Sequence, residues 1–297
     1  MALPAPGAVG FALSSAVLWG LSPIFTKKGI ERGGSSVQGV MVVMLTSGAL
    51  FWTALLATSG TAAFDGMSVG DAGIFLVGGV VGTTVGRLGH YAGVDRIGAS
   101  VATAAMNTRP LFAVGLAVLF LGETVTGVTG VGVLLLVGGV VLLSVAKGGD
   151  IRGWRSRDLL FPLTAGLAYG TGNVIRRFGF LETPATTIEA LALNETAAVL
   201  TLGSYLLISH RDRIRAADPA PIPYFVIAGV ISTGGLFSLF QALSIGRVTV
   251  VDPVSAMAPL FSALFTYLFL RDVERVTRGV VVGALLVVFG GALVTVY

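Results

Sequence analysis

The chain has 297 residues, of which 54% are hydrophobic and 11% are charged, and its formal net charge is +4. Its mean hydropathy is +0.90. A soluble chain usually carries about 25% charged residues, so the composition excludes an ordinary soluble globular protein. The chain contains no cysteine, which excludes disulfides, thiolate metal sites and cysteine nucleophiles. The composition predicts an integral membrane protein that is surrounded by the lipid bilayer.

Hydrophobic stretches recur at intervals of about one helix and one loop, each near the ~20 residues that cross a hydrocarbon core. They are continuous apolar runs, which excludes the alternating pattern of a transmembrane β-barrel. The first stretch lacks the basic residues that begin a signal peptide, so we expect it to be retained. We predict an all-α membrane protein with ten transmembrane helices, near residues 7–26, 37–58, 71–93, 97–121, 127–146, 158–178, 186–208, 222–244, 248–270 and 278–297.

The chain contains an internal repeat. The segment PLFAVGLAVLFL at 110–121 returns at an offset of 149 as PLFSALFTYLFL at 259–270. A weaker echo aligns the surroundings of Trp19 with those of Tyr169 at an offset of 150. Because this period is too long for a solenoid unit, we expect a duplicated membrane domain, as in many transporters.

The duplication divides the chain into a first repeat at 1–147, a basic linker at 148–157 and a second repeat at 158–297. Five helices in each repeat is an odd number, so the second repeat enters the membrane upside down relative to the first. Two inverted repeats that face each other enclose a central cavity, which can open to either side of the membrane. The cavity forms within one chain, so a monomer is sufficient.

The basic residues are distributed unevenly between the two sides of the predicted bundle. The loops after spans 1, 3, 5, 7 and 9 hold 14 Lys and Arg residues, against three on the opposite side. By the positive-inside rule, the first set faces the cytoplasm and both termini lie outside. We expect a multi-pass protein of a prokaryotic inner membrane. No basic surface is interleaved with aromatic residues, so no nucleic-acid partner is expected.

Several motifs in this order resemble the EamA-type repeat of the drug/metabolite transporter superfamily. They are Trp19-Gly20 followed by Lys27, the pattern Pro-x10-Leu-x-Glu that ends at Glu123, and glycine pairs late in spans 5 and 10. The resemblance covers essentially the whole chain in two copies. It implies ten helices, no ATPase domain and the movement of small metabolites such as amino acids or organic cations. It also implies a cavity lined chiefly by spans 1, 3, 4, 6, 8 and 9.

Ionisable side chains at membrane depth cost at least ~2.5 kcal/mol each unless they are paired or hydrated. Arg87, His90 and Tyr91 share one face of span 3. They are either a cavity wall or residues that reach outward to the membrane interface. In span 4, Arg109 lies about 200° around the helix from Asn107, so a straight helix cannot point both into one cavity. The partner of Arg109 is either an acid such as Glu195 or a substrate carboxylate.

Asp252 occupies the repeat position that Thr103 occupies in the first half. It either caps the start of span 9 or lies deeper, where it could carry a proton. Spans 1 and 6 carry matching stripes of polar residues along one helix face. Each stripe ends in a cation, which either lines a cavity mouth or anchors the helix at the membrane interface. Gln241 adds a neutral hydrogen-bonding group. The candidate cavity residues are Trp19, Lys27, Arg87, His90, Tyr91, Thr103, Asn107, Tyr169, Asn173, Arg177, Gln241 and Asp252, and the candidate buried charges are Arg109 and Glu195.

The cationic candidates Lys27, Arg87 and Arg177 outnumber Asp252, which favours a zwitterionic or anionic substrate. The sequence lacks an H-E-x-x-H zinc motif and an acidic metal-phosphate cluster, so no catalytic residue, metal or cofactor is expected. We predict a secondary-active or facilitative transporter of a small polar metabolite, an amino acid or a related zwitterion or organic anion, with export as the expected direction. The alternatives are an intramembrane enzyme and a membrane scaffold that transports nothing.

Overall fold

The computed structural model describes residues 6–146, 155–210, 218–269 and 278–296. Within these ranges all regular structure is helical, which confirms the all-α prediction. Residues 148–154 of the predicted linker lie outside the described residues. So do residue 270, the predicted end of the ninth span, and residue 297, the predicted end of the tenth. The α-helices are α1 Pro6–Glu31, α2 Ser36–Ser59, α3 Val69–Gly79, α4 Gly86–Ile97, α5 Ala99–Met106, α6 Arg109–Leu121, α7 Gly127–Ala146, α8 Leu160–Glu182, α9 Thr187–Ser209, α10 Ile222–Ile245, α11 Val248–Ser255, α12 Ala258–Phe269 and α13 Arg278–Val296.

Eight helical segments of the described residues are long and apolar enough to cross a membrane, where the sequence predicted ten. Helix α13 contains only a shorter apolar segment, Gly279–Thr295. Helix α8 has 23 residues, but Asn173, Arg176 and Arg177 make its second half polar, and it is not among the eight. The chain is thus a multi-pass membrane protein. The length and apolar composition of its described helices by themselves support eight spans.

Three of these eight segments each contain two α-helices. A π-helical turn, Val80–Val85, connects α3 to α4 without a gap. The other two segments, α5–α6 and α11–α12, are each interrupted near their middle. One of these two interruptions lies in each copy of the sequence repeat.

The two interruptions have nearly the same backbone geometry. Asn107 has φ −72° and ψ 1°, and Ala256 has φ −72° and ψ −3°. The positions differ by the offset of the sequence repeat, 149. Pro110 and Pro259 follow each interruption three residues later. A proline supplies no amide to the helix ladder and its ring clashes with the carbonyl four residues earlier, so each copy breaks its helix at the same place.

Glycines allow α7 and α13 to pack closely. A Cβ atom at Gly139 would lie 2.7 Å from the Gly283 carbonyl oxygen, and one at Gly283 would lie 2.9 Å from the Gly139 carbonyl oxygen. Small residues at such contacts let two backbones approach, which is how helices associate in a bilayer. The close contact therefore excludes any side chain at these positions.

We expect Gly139→Leu to destabilise the bundle by about 1–3 kcal/mol, because the larger side chain overpacks the contact. The readout is the melting temperature of the detergent-purified protein. Gly138→Leu is the matched control, because Gly138 is exposed and a Cβ atom there meets nothing within 4 Å. Equal melting temperatures for the two variants would contradict the assigned packing.

Candidate functional site

Two adjoining cavities lie among the polar residues of the bundle. The inner cavity, of about 240 Å³, reaches Ser47, Arg87 and Glu195. The wide cavity, of about 450 Å³, reaches Pro23 and Ser262. The two share four wall residues, Trp19, His90, Met106 and Arg109. Residues from both predicted repeats form the walls, so both cavities lie between the two halves of the chain.

An ion pair at the boundary of these cavities joins the two repeats. Arg109 Nε lies 3.2 Å from Asp252 Oδ2, and Arg109 Nη2 donates to Ser255 Oγ at 3.0 Å. The other Asp252 oxygen, Oδ1, accepts a hydrogen bond of 2.5 Å from Asn173 Nδ2. Helices α6, α8 and α11 therefore meet at one carboxylate.

This geometry answers two questions that the sequence left open. Among the described residues the salt-bridge partner of Arg109 is Asp252, and Glu195 is not within salt-bridge distance. Asp252 does not cap its helix, because Arg247 holds the N-cap position of α11 and Asp252 lies in the second turn with none of its surface exposed (0%). Both the capping interpretation of Asp252 and Glu195 as partner of Arg109 were therefore wrong.

Asn107 and Arg109 both line the wide cavity, although a straight helix would point them apart. The expectation that they diverge applied to a straight helix, and the helix is interrupted here, since α5 ends at Met106 and α6 begins at Arg109. The interruption rotates the second helix relative to the first, so the helical angle between the two residues no longer applies.

Arg176 was not among the candidates, yet it is the most fully bonded cation of the site. Its exposed fraction is 3%. Nε donates to Asn194 Oδ1 at 3.1 Å, and Nη1 donates to Asn173 Oδ1 at 2.8 Å. Nη2 donates to the Gly78 carbonyl oxygen at 3.2 Å and to Thr83 Oγ1 at 3.1 Å. The spacing of three residues between Asn173 and Arg176 on one helix face was the sequence signal that could have found it.

At one end of the bundle, the two repeats are held together by polar contacts to the backbone. The Glu123 carboxylate accepts hydrogen bonds of 2.8 Å from the amides of Val248 and Thr249. Within the second repeat, Arg177 Nη1 donates to the carbonyl oxygens of Leu243 and Ser244, in the last turn of α10, at 2.9 and 3.0 Å. These contacts lie where α11 begins. The wide cavity lies toward the other end of the same α11–α12 rod, because Ser262 of α12 lines it.

The structure brings most of the sequence candidates together. Those that line a cavity are Trp19, Arg87, His90, Thr103, Asn107, Arg109, Tyr169, Asn173 and Glu195. Wall residues that the candidate set omitted include Ser47, Thr83, Met106, Arg176, Ser232 and Ser255.

Five candidates lie outside the cavity walls. The Lys27 side chain is 45% exposed and pairs with Glu31 at 3.9 Å. Tyr91 stacks on His90 with ring centroids 6.4 Å apart. Gln241 Oε1 accepts from Thr187 Oγ1 at 2.7 Å. Arg177 and Asp252 make the contacts given above. The charges on the walls are therefore Arg87, Arg109, Arg176 and Glu195, not the set from which the sequence inferred a cationic cavity.

Among the described residues no group of three or more His, Asp or Glu side chains is arranged to hold a metal ion. The polar walls consist instead of guanidinium, amide, hydroxyl and carboxylate groups. Such groups recognise a polar organic molecule through hydrogen bonds and charge.

We expect Asp252→Asn to destabilise the protein by about 3–5 kcal/mol, because it leaves the Arg109 charge buried without its partner. The double variant Arg109→Met with Asp252→Leu should recover much of this loss, since it removes both charges. Thermal unfolding in detergent measures both effects, with Asp95→Asn, an exposed carboxylate, as the control. A double variant less stable than the single one would contradict this account of the pair.

Comparison with known proteins agrees with this architecture. The family profile described as "EamA-like transporter family" matches residues 7–145 and again 157–296. A protein of Clostridium kluyveri named "Uncharacterized transporter" is 26% identical over 144 residues, which are 48% of this chain and 46% of that protein. The match thus spans under half of that relative.

Two further likenesses extend the comparison. An uncharacterized protein of Methanocaldococcus jannaschii is 23% identical over 138 residues, 46% of this chain and 96% of that protein. It is therefore about as long as one repeat. A solved structure titled "Crystal structure of protein" has a TM-score of 0.78 at 17% identity and covers 96% of this chain and 95% of its own, a likeness of fold alone. The two profile matches cover nearly the whole chain, which belongs to the EamA-like transporter family.

Proposed function

We propose that this protein is a carrier that moves a small polar metabolite, an amino acid or a related zwitterion or organic anion, through the central cavity without ATP. The observation that carries the proposal is a polar space whose walls come from both repeats within a membrane-spanning bundle. Charged side chains are expensive inside a membrane and are rare there unless they line a pathway or a site. The inner cavity has four of them.

Paired contacts support two inverted five-helix halves that alternate in access. Helix α1 packs extensively on α10 of the other half, and α8 packs in the same way on α3 and α4. Likewise α1 contacts α12, and α8 contacts α6. Each contact has its image when the repeats are exchanged. Helix α8 is about 34 Å long at 1.5 Å per residue, enough to cross, and with α13 it completes ten spans.

The distribution of contacts supports a cytoplasm-facing conformation. The wide cavity lies toward the end at which α1 finishes, and the basic residues at Lys27 and Lys28 follow there. The Glu123 contacts close the opposite end. Under the positive-inside rule the basic end is cytoplasmic. Loading from that side fits export across a prokaryotic inner membrane.

Counterflow in proteoliposomes tests the carrier. Vesicles preloaded with a neutral amino acid or a small organic acid should accumulate the labelled compound transiently and with saturation. Ser232→Phe should reduce the rate roughly tenfold or more, the equivalent of about 1.4 kcal/mol in the barrier, because the ring fills the inner cavity. Ser204→Phe is the control on the exposed face of α9. Linear, non-saturating flux would indicate a pore and contradict the carrier.

The closed end can be tested separately, because the chain has no cysteine and one introduced cysteine reports accessibility. Leu239 lies on the inner-cavity wall toward the closed end. We expect Leu239→Cys to react slowly with a membrane-impermeant thiol reagent added from that side. Adding Glu123→Gln should raise the rate roughly tenfold, as expected when a charged hydrogen-bond acceptor becomes neutral. The exposed Glu182→Gln should leave the rate unchanged, and no increase with Glu123→Gln would contradict the closure.

A further inference from the structure

Glu195 is a buried carboxylate that is only half satisfied. None of its surface is exposed to solvent (0%), yet it forms part of the inner-cavity wall. Oε1 accepts a hydrogen bond from Asn194 Nδ2 at 3.2 Å, while Oε2 has no hydrogen-bond partner. The Ser47 hydroxyl is the neighbouring donor of this carboxylate, and it also lines the inner cavity. Such a buried carboxylate can accept one more hydrogen bond.

Arg87 is the complementary group on the same wall. Within the described residues its guanidinium makes no hydrogen bond and no salt bridge, although it lies within electrostatic range of Glu195, Tyr91 and Tyr169. The other two wall arginines are occupied, Arg109 by Asp252 and Arg176 by four neutral acceptors. Arg87 is therefore the wall arginine of the described chain whose guanidinium has no hydrogen-bond or salt-bridge partner.

The two groups share a cavity but do not pair with each other. The salt bridges of the described residues are Lys27–Glu31 and Arg109–Asp252, so the Arg87 and Glu195 charges are further apart than the 4.0 Å of a contact pair. A pair in contact would neutralise itself and leave nothing for a ligand. Two opposite charges that line one cavity without contacting each other are both available to a ligand.

The charge pattern discriminates among the classes of ligand. An organic anion would satisfy Arg87 but would leave a carboxylate beside Glu195 or leave Oε2 without a donor. An organic cation would satisfy Glu195 and leave Arg87 unmatched. A zwitterion satisfies both, because its carboxylate accepts from the guanidinium and its ammonium donates to the glutamate. The neighbouring wall residues Trp19, Leu236 and Leu239 suit an uncharged, apolar side chain.

We propose that Arg87 and Glu195 form a recognition subsite for a neutral amino-acid zwitterion, with Arg87 binding the carboxylate and Glu195 Oε2 binding the ammonium. This assignment rests on the proposed carrier function and narrows its substrate class. It also gives Glu195, one of the two candidate buried charges, a direct contact with the ligand.

Binding can be measured without transport. The melting temperature of the detergent-purified protein is followed with L-alanine, L-leucine and L-phenylalanine, each beside its decarboxylated amine and its deaminated acid. At least one amino acid should raise the melting temperature, while its amine and its acid should require roughly tenfold or higher concentrations, because each lacks one charge-assisted hydrogen bond. An acid or an amine that protects as well as the zwitterion would overturn the proposal.

Two charge-removing variants assign the two ends of the ligand. Glu195→Gln should weaken protection by the amino acid roughly tenfold or more but leave protection by the deaminated acid undiminished. Arg87→Gln should do the reverse, sparing the amine. The exposed Glu182→Gln and Arg157→Gln are the matched controls. Each variant is first compared with wild type by melting temperature without ligand, and Glu195→Asp, which keeps the charge, should retain part of the binding that Glu195→Gln loses.

The same proteins reconstituted in vesicles separate this proposal from the carrier itself. Amino-acid protection that depends on both residues, without counterflow, would uphold the subsite and overturn the carrier. Counterflow of an organic acid with no protection by any amino acid would uphold the carrier and overturn the subsite. Unchanged amino-acid protection in folded Glu195→Gln would also overturn it.

Discussion

The Arg109–Asp252 ion pair is the interaction on which the centre of this protein depends. It connects a helix of the first repeat to one of the second, at a depth where neither charge could remain alone. Asp252 also accepts from Asn173, whose oxygen in turn accepts from Arg176. Three cross-linked helices thus hold the floor between the two cavities, and neither repeat could supply this arrangement by itself.

The remaining charges follow from how that centre is satisfied. Arg176 donates hydrogen bonds to amide, carbonyl and hydroxyl oxygens. These neutral acceptors stabilise its positive charge without an acidic partner. The Asp252 carboxylate already forms an ion pair with Arg109. Glu195 and Arg87 are consequently left with unfilled hydrogen-bonding capacity on one wall. The polarity of the cavity is therefore set less by the number of charged residues than by which of them already have partners.

The sequence could predict the helical fold and its duplication because apolar length and repeated motifs are local signals. It could not predict the site in full. The expectation that Asn107 and Arg109 diverge assumed one straight helix, and the backbone at Asn107 cancels that assumption. Arg177 was the candidate cation of its helix rather than Arg176, whose burial depends on α3 and α9, which are distant in sequence. Of the two predicted spans that fall outside the eight apolar segments, α8 is made polar by the site itself, and α13 contains a shorter apolar segment.

The paired interruptions at Asn107 and Ala256 also have a mechanical consequence. Each lies on the wall of the wide cavity, and each is followed by a proline that contributes no amide to the ladder that bending would stretch. The α5–α6 and α11–α12 rods are therefore most compliant beside the wide cavity. Bending of either rod is concentrated at its interruption, so the shape of the wide cavity and the tilt of the half-helices change together.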